Sequence, residues 1–455
     1  MGNDSIVAEL AGCLPGGEIV SDPGRLAAYR HDETHAAAGE PLCAVVARGV
    51  ADIVATMRFA TRRRVPVVPR GAGTGLAGGA TATAGCVVLV LDAMTAIREL
   101  SADDMLAVVE PGVITADLAR AAAELGLMYP VDPGSAERST LGGNLATNAG
   151  GFRCYKYGVT RDSVLGLDVV LADGRLLRTG GRTSKGVTGY DLTSLFVGSE
   201  GTLGVIAGAT LRLRARPAGA PATAAAFYRD AARAAGAALA LTRAGLRPSL
   251  LELVDDVTLR ELEEWKAPGL PRGAALLLGQ FDSSGSGRAA AAMARLCADT
   301  GALATEVVTG AEESGRLMDI RRQSLAAVSR LGRTMVEDFA VPRSRLPEML
   351  TLIRRIADRH GVFVATVAHA GDGNLHPTFL YDHAAADVPE KVWAAAGEMF
   401  RAALELGGTL TGEHGVGTLK RRWLRDELGD EGIEVHRAVK DALDPLGLMN
   451  PGKVL

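Results

Sequence analysis

Residues 69–79 read PRGAGTGLAGG and follow directly on the apolar run Val65 to Val68. Glycine loses more conformational freedom on folding than any other residue, so a cluster this dense signals a backbone that must approach something closely or turn through positive φ. Successive N–H groups of such a loop converge readily on a pyrophosphate. No Gly-Lys-Ser/Thr follows, so this is not the phosphate loop of nucleoside triphosphatases, and a lone glycine pattern is weak evidence for a dinucleotide. Two further clusters strengthen it: PGSAERSTLGGNLATNAGG at 133–151 and GSEGTLGV at 198–205. Three glycine clusters in one domain point to one long ligand.

Around these loops, Val65 to Val68, Val87 to Leu91, Leu106 to Val109, Leu167 to Leu171 and Leu203 to Leu213 read as strands. Asp173-Gly174 falls between two apolar runs, a hairpin signal. Helices are predicted at about Ala51 to Arg63 and Thr115 to Leu125. Past Pro217 to Pro221 the texture changes. Helices at roughly Asp230 to Ala244, Arg288 to Asp299, Glu312 to Arg330 and Arg345 to Arg359 alternate there with strands at Leu250 to Val254, Ala275 to Gln280, Leu303 to Val308 and Met335 to Val341. The fold class is therefore α+β. Four parts are expected: 1–40 packing on the ligand domain, 41–216 the ligand domain itself, 217–387 a second α+β domain, and 388–455 a C-terminal helical segment.

Bulk properties narrow the classes. A chain of 455 residues with 47% hydrophobic and 22% charged positions is a folded protein of about two or three domains. Its net charge of -4 carries no footprint of a nucleic-acid or anionic-membrane binder, so no nucleic-acid partner is expected. Asp4, Glu9, Glu18 and Asp22 spoil any secretory signal, and no apolar window is long enough to span a membrane, so a cytoplasmic location is expected, with peripheral association at the inner membrane face left open. Cys13, Cys43, Cys86, Cys154 and Cys297 form no C-x-x-C pair, which argues against iron–sulfur clusters and zinc ribbons. Any one-electron relay must then lie on another protein.

The second constellation is HAGDGNLHP at 369–377, with His369 and His376 on either side of an Ala-Gly-Asp-Gly-Asn turn, followed by GEHGVG at 412–417 with Glu413 and His414. Two imidazoles across a turn can share a metal, and a carboxylate completes a plausible ligand set. Ordinary hydrogen-bonded histidines remain an alternative on these residues alone.

Taken in order, RGAGTGLAGG, VEPGV, PGS, TLGGNLATNAGG, YGVTRDSVLGLDVVLADG, TSKGVTGYDL and VGSEGTLGVI resemble the vanillyl-alcohol oxidase and p-cresol methylhydroxylase superfamily. The branch is that of the D-lactate dehydrogenases, glycolate oxidase flavoproteins and D-2-hydroxyglutarate dehydrogenases. The resemblance covers nearly the whole chain after residue 40 and implies a two-part FAD-binding domain, a substrate domain and an FAD-linked 2-hydroxy-acid dehydrogenase or oxidase. Pro69, Arg70, Gly71, Ala72, Gly73, Thr74, Gly75 and Leu76 would cradle the pyrophosphate. Pro133, Gly134, Ser135, Thr140, Gly142, Gly143, Ala146, Asn148, Gly150, Glu200, Gly201, Gly204, Ile206 and Asn450 would line the rest of the cofactor. No histidine lies in the loop from Val65 to Thr81, so non-covalent FAD is expected.

The same resemblance implies that His369, His376 and Glu413 bind a divalent metal, zinc in most relatives, with His414 the base that takes the hydroxyl proton as hydride passes to flavin N5. Arg321 in MDIRRQS is the candidate for the substrate carboxylate, with Arg322 as the alternative, and Asn374 is expected to add a hydrogen bond to the substrate.

One departure narrows the substrate. Hydroxyglutarate enzymes carry a lysine just before the aspartate of the strand reading TMVEDFAVP here, whereas this chain has Val336 and Glu337, which disfavour a second carboxylate. D-Lactate or glycolate is favoured over D-2-hydroxyglutarate, with electrons leaving to a separate acceptor: quinone, cytochrome, electron-transfer flavoprotein or oxygen. A sugar-lactone-type oxidase, a non-catalytic flavin subunit of a glycolate oxidase, and a metallohydrolase are the competing readings. Homodimer association stays open.

Overall fold

The computed structural model describes residues 3–34, 36–385 and 387–455. It resolves two compact units, one of residues Met1–Gly151, Gly158–Arg216 and Glu413–Leu455, the other of Phe152–Tyr157 and Pro217–Gly412.

The first unit holds two sheets. In the four-stranded one, Cys43–Val46, Val87–Val90 and Val67–Arg70 run parallel, and Glu18–Val20 pairs antiparallel at the edge. Parallel strands need a crossover, and the helix Val50–Arg63 supplies it. Arg64, left-handed at φ 53, ends that helix, and the Val65 amide closes back onto Ala60. That is why the strand expected at Val65 to Val68 instead begins at Val67 and delivers Arg70 straight into the glycine loop. The second sheet is antiparallel, in the order Ile97–Ser101, Leu106–Val109, Val205–Arg212, Val164–Val170, Leu176–Gly180. Asp173-Gly174 makes the expected hairpin, with Gly174 at φ 80.

The second unit is one eight-stranded antiparallel sheet. Ala304–Thr309, Ala222–Tyr228, Ala275–Phe281, Leu250–Val254, Phe363–His369, Asn374–Tyr381 and Arg333–Val336 lie in that order, and Phe339–Ala340 also pairs with Asn374–Tyr381. Helices Ala231–Arg243, Asp256–Lys266, Ser286–Asp299 and Leu346–His360 belong to this unit. The single helix expected over Glu312 to Arg330 is two, Ala311–Arg322 and Ser324–Ser329. They are joined at Gln323, and the Ser324 hydroxyl there donates back to the Ile320 carbonyl at 3.0 Å.

The 388–455 segment divides between the units. Helix Glu390–Glu405 stays with the eight-stranded sheet, and the residues from Glu413 onward join the first unit. There Met449 bridges to Val67, and Lys453 Nζ donates to the Thr81 carbonyl at 2.7 Å. Among the described residues no helix is long and apolar enough to cross a membrane, and all five cysteines are free.

Candidate functional site

In the first unit, the strand Val67–Arg70 ends where the glycine loop begins, at the carboxyl end of parallel strands, where open α/β sheets bind their ligands. Among the described residues, the amides of Gly71 to Leu76 donate to no other group of the chain. Folded chains rarely leave so many adjacent donors unspent, so this run suits a ligand rich in acceptor oxygens. Arg70 itself is differently employed. Its guanidinium is buried, donates to the His31 carbonyl at 2.8 Å and is lowered in pKa by that burial. It props the loop, and the backbone amides are left as the loop's unspent donors.

The second glycine cluster, expected as loop, contains the helix Leu141–Thr147. Thr140 caps it by accepting from the Gly143 amide at 3.3 Å, and Asn148 ends it in the left-handed region. The third cluster is stitched to this helix, since the Gly198 amide donates to Leu145 and the Glu200 amide to Ala146, at 2.9 and 2.8 Å. Asn450 then ties the third cluster to the first, its Nδ2 donating to the carbonyls of Gly79 (2.9 Å) and Glu200 (2.7 Å). Among the described residues Asn450 Oδ1 and Thr418 Oγ1 are buried polar atoms with no partner. They offer an acceptor and a hydroxyl to a ligand in the same region. Pro133 and Ser135 sit in a turn closed by the Ala136 and Arg138 amides, and Ile206 packs in the core beneath the antiparallel sheet.

Glu413 and His414 lie on a turn held by this unit. A side chain at Gly150 would strike the Glu413 carboxylate, so glycine there lets Glu413 come close. Gly417 has φ 50, and a side chain would collide with the Ala77 carbonyl. Just past His414, Glu200 accepts the amides of Val416 (2.7 Å) and Gly417 (2.8 Å). Burial pushes that carboxyl up to about 7.

In the second unit the antiparallel register sets His369 opposite Asn374 and His376 opposite Val367. Paired residues share a face and every second residue returns to it, so His369, Asn374 and His376 all project to one side. The imidazoles are buried, with centroids 5.1 Å apart and planes at 85°. Each has an acid behind it. Glu252 Oε1 lies 2.6 Å from His369 Nδ1, and Asp338 Oδ1 lies 3.8 Å from His376 Nδ1. Both acids are 0% exposed.

Asp338 also accepts from Thr411 Oγ1 (2.6 Å) and the Gly412 amide (2.8 Å), the residue that precedes Glu413. Asn374, expected to add a hydrogen bond to the substrate, has its amide protons spent on Asp338 Oδ1 (2.6 Å) and the Phe339 carbonyl (2.9 Å), which leaves Oδ1 to make one as an acceptor. Arg321 donates through Nε to Glu252 Oε2 at 2.8 Å and lies over the Phe152 ring, 5.2 Å from its centroid. Among the described residues its Nη groups meet no protein acceptor. Arg322, the alternative, is exposed and paired with Asp319.

Glu252, Asp338 and Phe152 were not singled out from the sequence. The signal was present in the two acids: LLELV sets one charge inside an apolar run and VEDFAV sets two, and a buried charge needs a reason.

Two family models match the chain, one described as FAD binding domain over residues 41–180 and one as FAD linked oxidases, C-terminal domain, over residues 219–454. The second alone covers more than half of the sequence. The chain belongs to the FAD-linked oxidase family. It is an FAD-binding oxidoreductase, and its unspent loop amides, Asn450 Oδ1 and Thr418 Oγ1 fit that cofactor. Among relatives of this family, the glycolate oxidase subunit GlcD of Bacillus subtilis is 42% identical over 440 residues, 95% of this chain and 93% of the relative. A D-lactate dehydrogenase of Archaeoglobus fulgidus is 36% identical over 440 residues, 94% and 95% of the two chains. The fold is shared with p-cresol methylhydroxylase, at a TM-score of 0.79 and 17% identity over 99% of this chain and 96% of that one.

Proposed function

We propose that this FAD-linked oxidase oxidises a small D-2-hydroxy monocarboxylate, D-lactate or glycolate, to the 2-keto acid. The observation that carries this reading is Arg321: a largely buried guanidinium at the end of helix Ala311–Arg322, fixed through Nε by Glu252 of the sheet that also bears His369 and His376, with its Nη groups unspent. A planar pair of donors of this kind matches a carboxylate. When bound, FAD supplies the hydride acceptor, and a divalent ion supplies Lewis acidity toward the 2-hydroxyl.

His369, His376 and Glu413 would hold the ion, two imidazoles and a carboxylate being the donor set of a zinc site that keeps a position for substrate. His414, next to Glu413, would take the hydroxyl proton at an imidazole nitrogen. Glu337, buried beside Asp338, disfavours a second substrate carboxylate and so supports lactate or glycolate over hydroxyglutarate. The GlcD relative is named a subunit, which supports electron transfer to a separate acceptor.

Anaerobic titration of the purified flavoprotein with D-lactate, glycolate, L-lactate and D-2-hydroxyglutarate tests the reading. Bleaching of the flavin by D-lactate or glycolate at lower concentration than by D-2-hydroxyglutarate is expected. A flavin bleached by none of the four acids overturns it.

A further inference from the structure

We propose that Glu252 is a positioning residue for the oxidation, holding the carboxylate-binding arginine and one metal-binding histidine in a single fixed array. The proposal rests on the reading of Arg321 and His369 given above. Glu252 sits mid-strand in Leu250–Val254 and is 0% exposed. An acid there is costly unless both oxygens find strong partners. They do, and the partners are different groups: Oε1 meets His369 Nδ1 at 2.6 Å, and Oε2 accepts from Arg321 Nε at 2.8 Å.

Two features separate this arrangement from simple charge balance. The contact to Arg321 is made through Nε alone, which spends neither Nη group and leaves a two-pronged Nη face open. That face is thereby left for a second carboxylate. The contact to His369 is made at Nδ1, which fixes the proton there and turns Nε2 outward as a lone-pair donor. Glu252 and His369 are direct cross-strand partners, so the sheet register itself sets their approach. Phe152 closes the array with its ring edge-on to His369 (centroids 5.7 Å apart) and beneath Arg321.

The test compares Glu252→Gln and Glu252→Asp with Glu261→Gln in the holoflavoprotein. Glu261 is also a buried acid of this unit, paired with Arg260 at 2.9 Å and Arg330 at 3.2 Å, but it serves no proposed site residue. Glutamine keeps the volume yet cannot accept from both partners, and aspartate keeps the charge but is too short to reach both. Zinc affinity, from competition with a chromophoric chelator, should fall about 10- to 100-fold in both Glu252 variants. The KM for D-lactate should rise by at least about tenfold, with a smaller change in kcat, because an anchoring contact is lost. Glu261→Gln should leave zinc affinity and KM at parental values.

His369→Ala makes the failures distinguishable. If that variant keeps full zinc, the metal reading fails and the Glu252 proposal with it. If it loses zinc while Glu252→Gln binds zinc and D-lactate as the parent does, only the Glu252 proposal is overturned. Should neither Glu252 variant fold, nitrogen-15 NMR of the histidine-labelled, zinc-free parent decides. Protonation of His369 at Nδ1 supports the proposal, and protonation at Nε2 overturns it.

Discussion

Asp338 accepts a hydrogen bond from the amide of Gly412, 2.8 Å away, and so anchors the turn on which the chain passes to Glu413. The same carboxylate takes Thr411 Oγ1 and Asn374 Nδ2, both at 2.6 Å. Asp338→Asn offers one acceptor oxygen and sets an amide against donors. With two of the three donors left unpaired at about 1 to 3 kcal/mol each, the loss should be roughly 2 to 6 kcal/mol and exceed that of Thr411→Val, which leaves the Gly412 and Asn374 bonds in place. Urea unfolding of the two variants checks this. Equal midpoints would mean that Asp338 is no anchor.

The sequence carried most of the strands, the α+β class and the glycine loops, because alternation and glycine density are local signals. Beyond the hairpin at Asp173-Gly174 it set no strand direction, and it passed over Cys43–Val46, Ile97–Ser101 and Ala222–Tyr228. It could not reveal which glycine cluster curls into a helix. Thr140 and Asn148 are ordinary cap residues at either end of Leu141–Thr147, but the glycines between them read as loop. Nor could it tell that Arg70 turns inward while the amides beside it stay unspent. Glu252 illustrates the deepest limit. Its partners His369 and Arg321 are remote in sequence, and only the sheet register and the packing of helix Ala311–Arg322 bring them together.

FAD should be releasable. No histidine occurs between Val65 and Thr81 to tether it, and the loop from Gly71 to Leu76 offers backbone donors, which bind without a covalent bond. Acid precipitation followed by fluorescence of the supernatant is the measurement. Flavin retained in the pellet contradicts non-covalent binding.

Metal and flavin should separate by mutation. His369→Ala, His376→Ala and Glu413→Ala are each expected to lower bound zinc and turnover while FAD stays, because none of the three belongs to the glycine clusters at 69–79, 133–151 and 198–205, and truncation of Glu413 beside Gly150 removes atoms without adding any. Elemental analysis beside flavin absorbance reads both at once. Full zinc occupancy in all three variants would falsify the ligand assignment.

Glu200 gives a pH signature. Burial raises its carboxyl from 4.5 to about 7, and the amides of Val416 and Gly417 only partly oppose that. Between those pH values the folded chain keeps a proton that the unfolded chain has released, so stability falls as pH rises through that window. At about 1.4 kcal/mol per pH unit the contribution approaches roughly 3 kcal/mol. Glu200→Gln removes the titration, and its unfolding midpoint should change less between pH 5 and pH 8 than the parent's. Asp255, raised to about 6, titrates in both proteins and cancels in the comparison. Parallel pH profiles would show that Glu200 is not held protonated.

His414→Asn separates chemistry from binding. The residue is the proposed base, not a ligand, so the variant should keep both FAD and zinc yet lose most turnover. Removing a general base costs about 100- to 10,000-fold in rate, whereas one ordinary hydrogen bond is worth roughly 1 kcal/mol, or several-fold. That gap makes the rate decisive. Rapid mixing of the oxidised enzyme with D-lactate follows flavin reduction alone, so whichever acceptor reoxidises the enzyme does not enter the measurement. Asparagine keeps polarity and much of the imidazole's volume, so the turn held by Glu200 and Gly417 should persist, and unchanged flavin absorbance verifies that it does. A variant that reduces its flavin within tenfold of the parent rate at saturating D-lactate would remove His414 from the role, and the hydroxyl proton would have to leave by another group.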